Sequence, residues 1–164
     1  MAAAVPRIEG AGQLVGSDGE PPELFGTDGL GPNGIVWHPA GFLLVSTHGR
    51  GTLVRIPLHA PEHAETVALE QPIPGADGVE LRPDGTLVVG SNGVISSGSA
   101  AVTVLRSTDG WASARTVACH APWPDSSPST SAVTPYGTYV LDGRLAEIIS
   151  GNPVDGFTLR RLPD

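Results

Sequence analysis

Two places in the chain set a small polar residue and a glycine just ahead of an alternating apolar run. Asn33-Gly34 lies within GPNGIVWHPAGFLLV (residues 31–45), and Asp77-Gly78 within GADGVELRPDGTLVV (residues 75–89), 44 positions further on. An amide and a carboxylate at the same place in a repeated phrase are both oxygen donors, one a dipole and one a charge. Asn-Gly and Asp-Gly also tolerate positive φ and form turns readily, so each pair serves equally well to start a strand. The other reactive types have less context. His59 and His63 have the i, i+4 spacing of a helical metal site, but Pro57 and Pro61 surround them and no third ligand follows, so they read as a solvated loop. Ser126, Ser127 and Ser129 lack the Gly-x-Ser-x-Gly setting of a hydrolase nucleophile. Cys119 is the sole cysteine; it excludes an intrachain disulfide and reads as a small hydrophobe near a strand end.

The elements that carry these residues follow from the repeat. In the first copy, residues 35–37 alternate, His38-Pro39-Ala40-Gly41 turns, 42–47 form an apolar strand, residues 48–51 turn again, and 52–58 form a third strand. The second copy has strands at 79–81, 86–90 and 101–106, with a turn at 82–85 and a longer one from Asn92-Gly93 to Ser99. A hairpin at 107–111 leads into a fourth strand at 114–118. A weaker third copy has strands at 131–134, 138–141 and 146–149, with a last strand at 157–162. Residues 1–30 hold two short apolar stretches, 13–16 and 23–26, that suit peripheral strands. Trp37, Trp111 and Trp123 read as packing residues, with Trp123 the one placed to cover a substrate.

Composition agrees with an all-β chain. Forty per cent hydrophobic residues against 16% charged, in 164 residues, suffice for a packed core and exclude general disorder. Twenty-two Gly and sixteen Pro leave little room for helix and favour short strands joined by tight turns. Net charge is −8 and all nine basic residues are scattered arginines, which argues against a nucleic-acid partner. No apolar run is long enough to span a bilayer, and the N-terminus lacks a leader pattern, so the expected location is the cytoplasm.

Three antiparallel meanders at a period of 45 to 50 residues predict β-propeller blades, at about 31–74, 75–127 and 128–164. With the first strand of each blade innermost, Asn33, Asp77 and Ser129 or Thr130 come to one end of a central channel. The turns after the second strands place His48, Arg50, Asn92, Asp142 and Arg144 around the same mouth. His48, Asn92 and Arg144 are the expected substrate contacts, Arg144 suiting an anionic group.

The stretches PNGIVWHPAGFLLVSTHGRGTLVRI and ADGVELRPDGTLVVGSNG resemble adjacent blades in the C-terminal half of the six-bladed propellers of the gluconolactonase, senescence-marker-protein and luciferin-regenerating-enzyme family. The resemblance runs from Gly31 to about Leu162. It implies a divalent cation on the channel axis, held by oxygens from a Glu, two Asn and an Asp on different blades. Asn33 matches one Asn ligand; Asp77 matches the Asp, a ligand that is also the general base. Ca²⁺, Mg²⁺ or Zn²⁺ suits such donors. The implied activity is metal-assisted hydrolysis of a lactone or related ester, and the alternative is a non-catalytic binding propeller or an inactive truncated homologue. The blades that carry the family's Glu and other Asn are missing from this chain. Three blades also leave two open apolar flanks, so a homodimer closing the ring about a two-fold axis, or another chain supplying the rest, is expected.

Overall fold

The computed structural model describes residues 30–163, and the two stretches at 13–16 and 23–26 lie outside them. The fold is all-β. The strands are β1 (Pro32–His38), β2 (Phe42–Thr47), β3 (Leu53–Pro57), β4 (Glu65–Thr66), β5 (Ala68–Leu69), β6 (Ala76–Leu81), β7 (Leu87–Ser91), β8 (Ala101–Arg106), β9 (Ser113–His120), β10 (Pro128–Thr134), β11 (Gly137–Asp142) and β12 (Thr158–Arg161). They form three sheets in chain order, β1-β2-β3-β4, β6-β7-β8-β9 and β10-β11-β12, with β5 joining the middle sheet parallel to β9. Every other pairing is antiparallel. The expected strand at 146–149 is instead a short helix, α1 (Leu145–Ile149), so the third sheet has three strands. Leu-Ala-Glu favours helix, Arg144 Nε donates to Glu147 Oε1 at 2.6 Å across one turn, and Gly151 at φ 78° closes the C-terminus.

The first strand of the middle sheet, β6, lies against both β1 and β10 and brings the three sheets together. Two glycines permit this. A Cβ on Gly34 would collide with the Asp77 carbonyl oxygen and come within 2.9 Å of the Val79 nitrogen; a Cβ on Gly78 would stand 2.6 Å from the Ser129 carbonyl oxygen. Ser46 Oγ ties the first two sheets by accepting from Gly34 N and donating to the Asp77 carbonyl, both at 2.9 Å. Arg82 Nε donates to Thr138 Oγ1 at 3.0 Å between the second and third.

Alternation decides what fills the spaces between sheets. Phe42, Leu44 and Leu53 pack on Val79, Leu87, Val89 and Leu105 between the first and second sheets. Val88, Val102 and Val104, on the middle sheet's other face, pack on Val140, Leu162 and Trp123. Trp111 is buried in the first of these cores, as a packing residue should be. Trp123 is buried in the second, which leaves it no surface with which to cover a substrate. Trp37 is the opposite case: it pairs with Leu43 on the outer face of the first sheet and is 57% exposed, because Val36 takes the inward place. Cys119 is also exposed, near the end of β9 and beyond the two residues of that strand that pair with β5.

Candidate functional site

Each first strand breaks its ladder at the same point. Register shifts fall between Pro32 and Ile35, between Ala76 and Val79, and between Pro128 and Thr130. The residues in these breaks are Asn33-Gly34, Asp77-Gly78 and, in the third sheet, Ser129 alone, since Thr130 pairs with Leu141. A bulge re-aims the side chains it carries, and here the breaks fall near the start of each first strand. The turns after the second strands are pinned to the same place. His48 N donates to the Gly31 carbonyl at 2.8 Å, and Asn92 N donates to the Gly75 carbonyl at 3.0 Å. Gly31 and Gly75 hold the matching left-handed conformation, φ 66° and 79°. His48 and Asn92 are thus equivalent positions, one period apart.

Four of the side chains singled out from the sequence meet here. Asn92 Nδ2 donates to Asp77 Oδ2 at 3.1 Å and to the Pro128 carbonyl at 3.4 Å, while its Oδ1 accepts from Val94 N at 3.3 Å. Those three partners fix which end of the amide faces the carboxylate. Burial pushes the Asp77 carboxyl above the ordinary aspartate value, opposed by the Asn92 amide, the His48 imidazole and the Asn33 amide. Asn33 is exposed, Asp77 half-buried, and His48 and Asn92 fully enclosed, so the cluster grades from open to sealed. Neither ring nitrogen of His48 has a hydrogen-bond partner among the described residues.

Other sequence candidates serve elsewhere. Arg144 begins α1 in the left-handed region at φ 55° and pairs with Glu147, which directs its charge along the helix. Asp142 is buried and takes Ser127 Oγ at 3.0 Å and Arg144 N at 2.8 Å, holding the turn of the third sheet. Ser129 Oγ is engaged by the Ser127 carbonyl and by Gly143 N, both at 3.0 Å. Sequence reasoning placed His48 and Asn92 on the rim and missed their enclosure. The signal was present in their 44-residue separation, equal to that of Asn33 and Asp77, which marks side chains aimed at one point. A separate cleft of about 510 Å³ opens beside Ile73, Pro74, Ser99, Thr103 and Cys119; it includes none of the four clustered residues. Among the described residues no helix is long and apolar enough to cross a membrane.

No protein-family model matches the chain, and no curated protein matches it.

Proposed function

We propose that the chain is half of a six-bladed propeller related to the gluconolactonases and that the cluster around Asp77 serves metal-assisted hydrolysis of a lactone or related ester. The observation that carries this reading is the convergence of Asn33, His48 and Asn92 on one partly buried carboxylate from three separate backbone segments. Asn33 and Asp77 are donors that suit a divalent cation, while no group of three or more His, Cys, Asp or Glu side chains is gathered among the described residues. Asn33 and Asp77 offer oxygens, and an enclosed imidazole with two unpartnered nitrogens stands near them. When bound, the cation would polarise the substrate carbonyl and acidify a water. Asp77 is the proton acceptor, and its upward shift moves it toward the range in which a carboxylate is an effective base at neutral pH. Asn92 keeps that carboxylate aimed, and Asn33, on the open side, meets the substrate end of the site.

The test is thermal unfolding with and without chelator and added Ca²⁺, Mg²⁺ or Zn²⁺, beside a lactone hydrolysis assay. A metal at a hundred times its Kd should stabilise the wild type by about 2.7 kcal/mol, and Asp77→Ala should abolish both that gain and hydrolysis. A melting temperature indifferent to chelator and metal would remove the basis of the reading.

One observation favours a non-catalytic role: Asn92 ties β6 to the turn after β7 through Asp77 and stitches the second sheet to the third through the Pro128 carbonyl. A binding module would keep those contacts and show no metal-dependent turnover.

A second copy of the chain is the proposed source of the missing blades. Ile35 and Trp37 on the outer face of the first sheet, and Leu159 with neighbouring Phe157 at the third, are more than half exposed. Light scattering should give a mass near twice 16.8 kDa, and a compact monomer would exclude this partner.

A further inference from the structure

We propose that the cleft between the β6–β7 turn and the β10–β11 turn binds a small organic phosphate, with the guanidinium groups of Arg82 and Arg161 on the phosphate oxygens and the Tyr136 ring against the organic part. The inference goes beyond the reading of Asp77 and does not depend on it. Arg82 follows the far end of β6, about 17 Å along that strand from Asp77.

The cleft holds about 490 Å³, and the two arginines enter it from different sides. Arg82 Nε donates to Thr138 Oγ1 at 3.0 Å, which fixes the guanidinium plane and keeps its terminal nitrogens for a further acceptor. Arg161 comes from the opposite face of the third sheet. Its neighbour Leu162 is buried in the core between the second and third sheets, so alternation sends Arg161 outward. Gly137 then lets it reach the cleft. A Cβ there would lie 2.6 Å from Arg161 Nε and 3.3 Å from Cζ and Nη2, so the guanidinium takes the place that a side chain would fill. The hairpin that presents these groups is pinned by one hydroxyl: Thr134 Oγ1 accepts from Tyr136 N at 3.1 Å and donates to the Gly137 carbonyl at 2.8 Å. Tyr136, on that fixed backbone, is 80% exposed.

The charge of the cleft runs against that of the chain. Net charge is −8, yet two of the nine arginines line this one cleft. Asp84, the one acid among the described lining residues, is already engaged. Its Oδ1 accepts from Thr86 N at 3.0 Å and from Thr86 Oγ1 at 2.6 Å, and its Oδ2 accepts from Arg106 Nη2 at 3.1 Å. Two like charges brought to one cleft repel, and an anion between them offsets that cost. A carboxylate is satisfied by a single bidentate arginine. A phosphate monoester carries about −1.5 to −2 near neutral pH and three acceptor oxygens, so guanidinium groups approaching from two sides match it better. Pro83, Pro135 and the Tyr136 ring set apolar surface beside the charge, which suits a phosphate carried on a ring.

The test titrates the full chain at low salt with phenyl phosphate, inorganic phosphate and benzoate, read by calorimetry and by ¹⁵N NMR of the arginine Nε groups. Phenyl phosphate should bind more tightly than either of the others and shift the Nε resonances of Arg82 and Arg161. Arg82→Gln and Arg161→Gln should each lose about tenfold in affinity for it. Tyr136→Ala should weaken phenyl phosphate about threefold and leave inorganic phosphate unchanged, a split that a merely structural role would not produce. Benzoate binding as tightly as phenyl phosphate would overturn the phosphate assignment, and inorganic phosphate binding as tightly would overturn the role of the ring. Absence of saturable binding, or binding unaltered when both arginines are replaced by Gln, would overturn the site itself. Arg82 also ties the second sheet to the third. If its variant fails to fold, the wild type decides: Arg82 and Arg161 Nε resonances unmoved by saturating phenyl phosphate refute the proposal.

Discussion

Asp77 and Asp142 are carboxylates at the same end of neighbouring sheets, and their surroundings are opposite. Asp142 pairs across from Pro128 at the close of β11, where Ser127 Oγ, Ser127 N and Arg144 N all donate to it. Its charge is spent on holding backbone N–H groups that the turn would otherwise leave without partners. Asp77 stands in the bulge of β6 with the Asn92 amide donating to it at 3.1 Å, and burial raises its pKa in spite of that contact. One acid is a finished piece of scaffold. The other is held in an environment that disfavours its charge, which is the condition of a group kept for a ligand or a proton. The same turn position repeats the contrast: Gly143 in the third sheet only donates its N–H to Ser129, while His48 in the first carries two unsatisfied nitrogens into the fold.

The sharpest way to break this contrast is to remove each acid in turn, because the two changes should move stability in opposite directions. Asp142→Ala strands the Ser127 and Arg144 N–H groups and should cost about 3 kcal/mol, read as a lower urea midpoint. Any metal affinity should survive wherever the variant remains folded. A loss below about 0.5 kcal/mol would mean that water replaces the carboxylate, and Asp142 would no longer stand as the scaffold member of the pair.

How much of this the sequence carried depends on the kind of contact involved. Local turn chemistry was legible: Gly41 N bonds the His38 carbonyl and Gly85 N bonds the Arg82 carbonyl, both at 2.9 Å, closing the two Pro-x-Gly turns where they were expected. Strand existence was legible too, since alternation and β-branched runs encode it directly. The face of a strand was not. Ile35 and Trp37 alternate as correctly as Val36 does, and only the position of the next sheet makes Val36 the inward residue. The helix at 145–149 replaces the expected strand because the five residues Leu-Ala-Glu-Ile-Ile are too few to carry a period, and the deciding Arg144–Glu147 pair joins a turn to the segment that follows it. In the candidate site, residue types and the 44-residue period brought out Asn33, Asp77, His48 and Asn92 together. The burial of Asp77, His48 and Asn92 was hidden, because it comes from the close approach of β6 to β1 and β10. That approach leaves a trace in Gly34 and Gly78, each backed against the next first strand, whereas Thr130, just after the matching break in the last sheet, keeps a side chain and is exposed.

Asp77→Asn gives the smaller effect and the finer test. Burial raises the folded-state pKa of Asp77 above the ordinary value of about 3.9, so folding favours the protonated acid. Stability from that preference is complete below the unfolded value and disappears as pH rises through the folded one. At neutral pH the wild type therefore bears the cost of a charge that the amide does not carry. An Asn in this place still presents an oxygen to Asn92 Nδ2. Without metal, Asp77→Asn should melt higher than the wild type at pH 7, by about 2 °C, since water screens part of the burden on a half-buried group. The gap should close as pH falls below about 4. Added Zn²⁺ should reverse the order, because only the carboxylate holds the ion well. If the metal-free variant instead melts lower at pH 7, the Asn92 contact outweighs burial, and Asp77 is a structural acid of the same kind as Asp142.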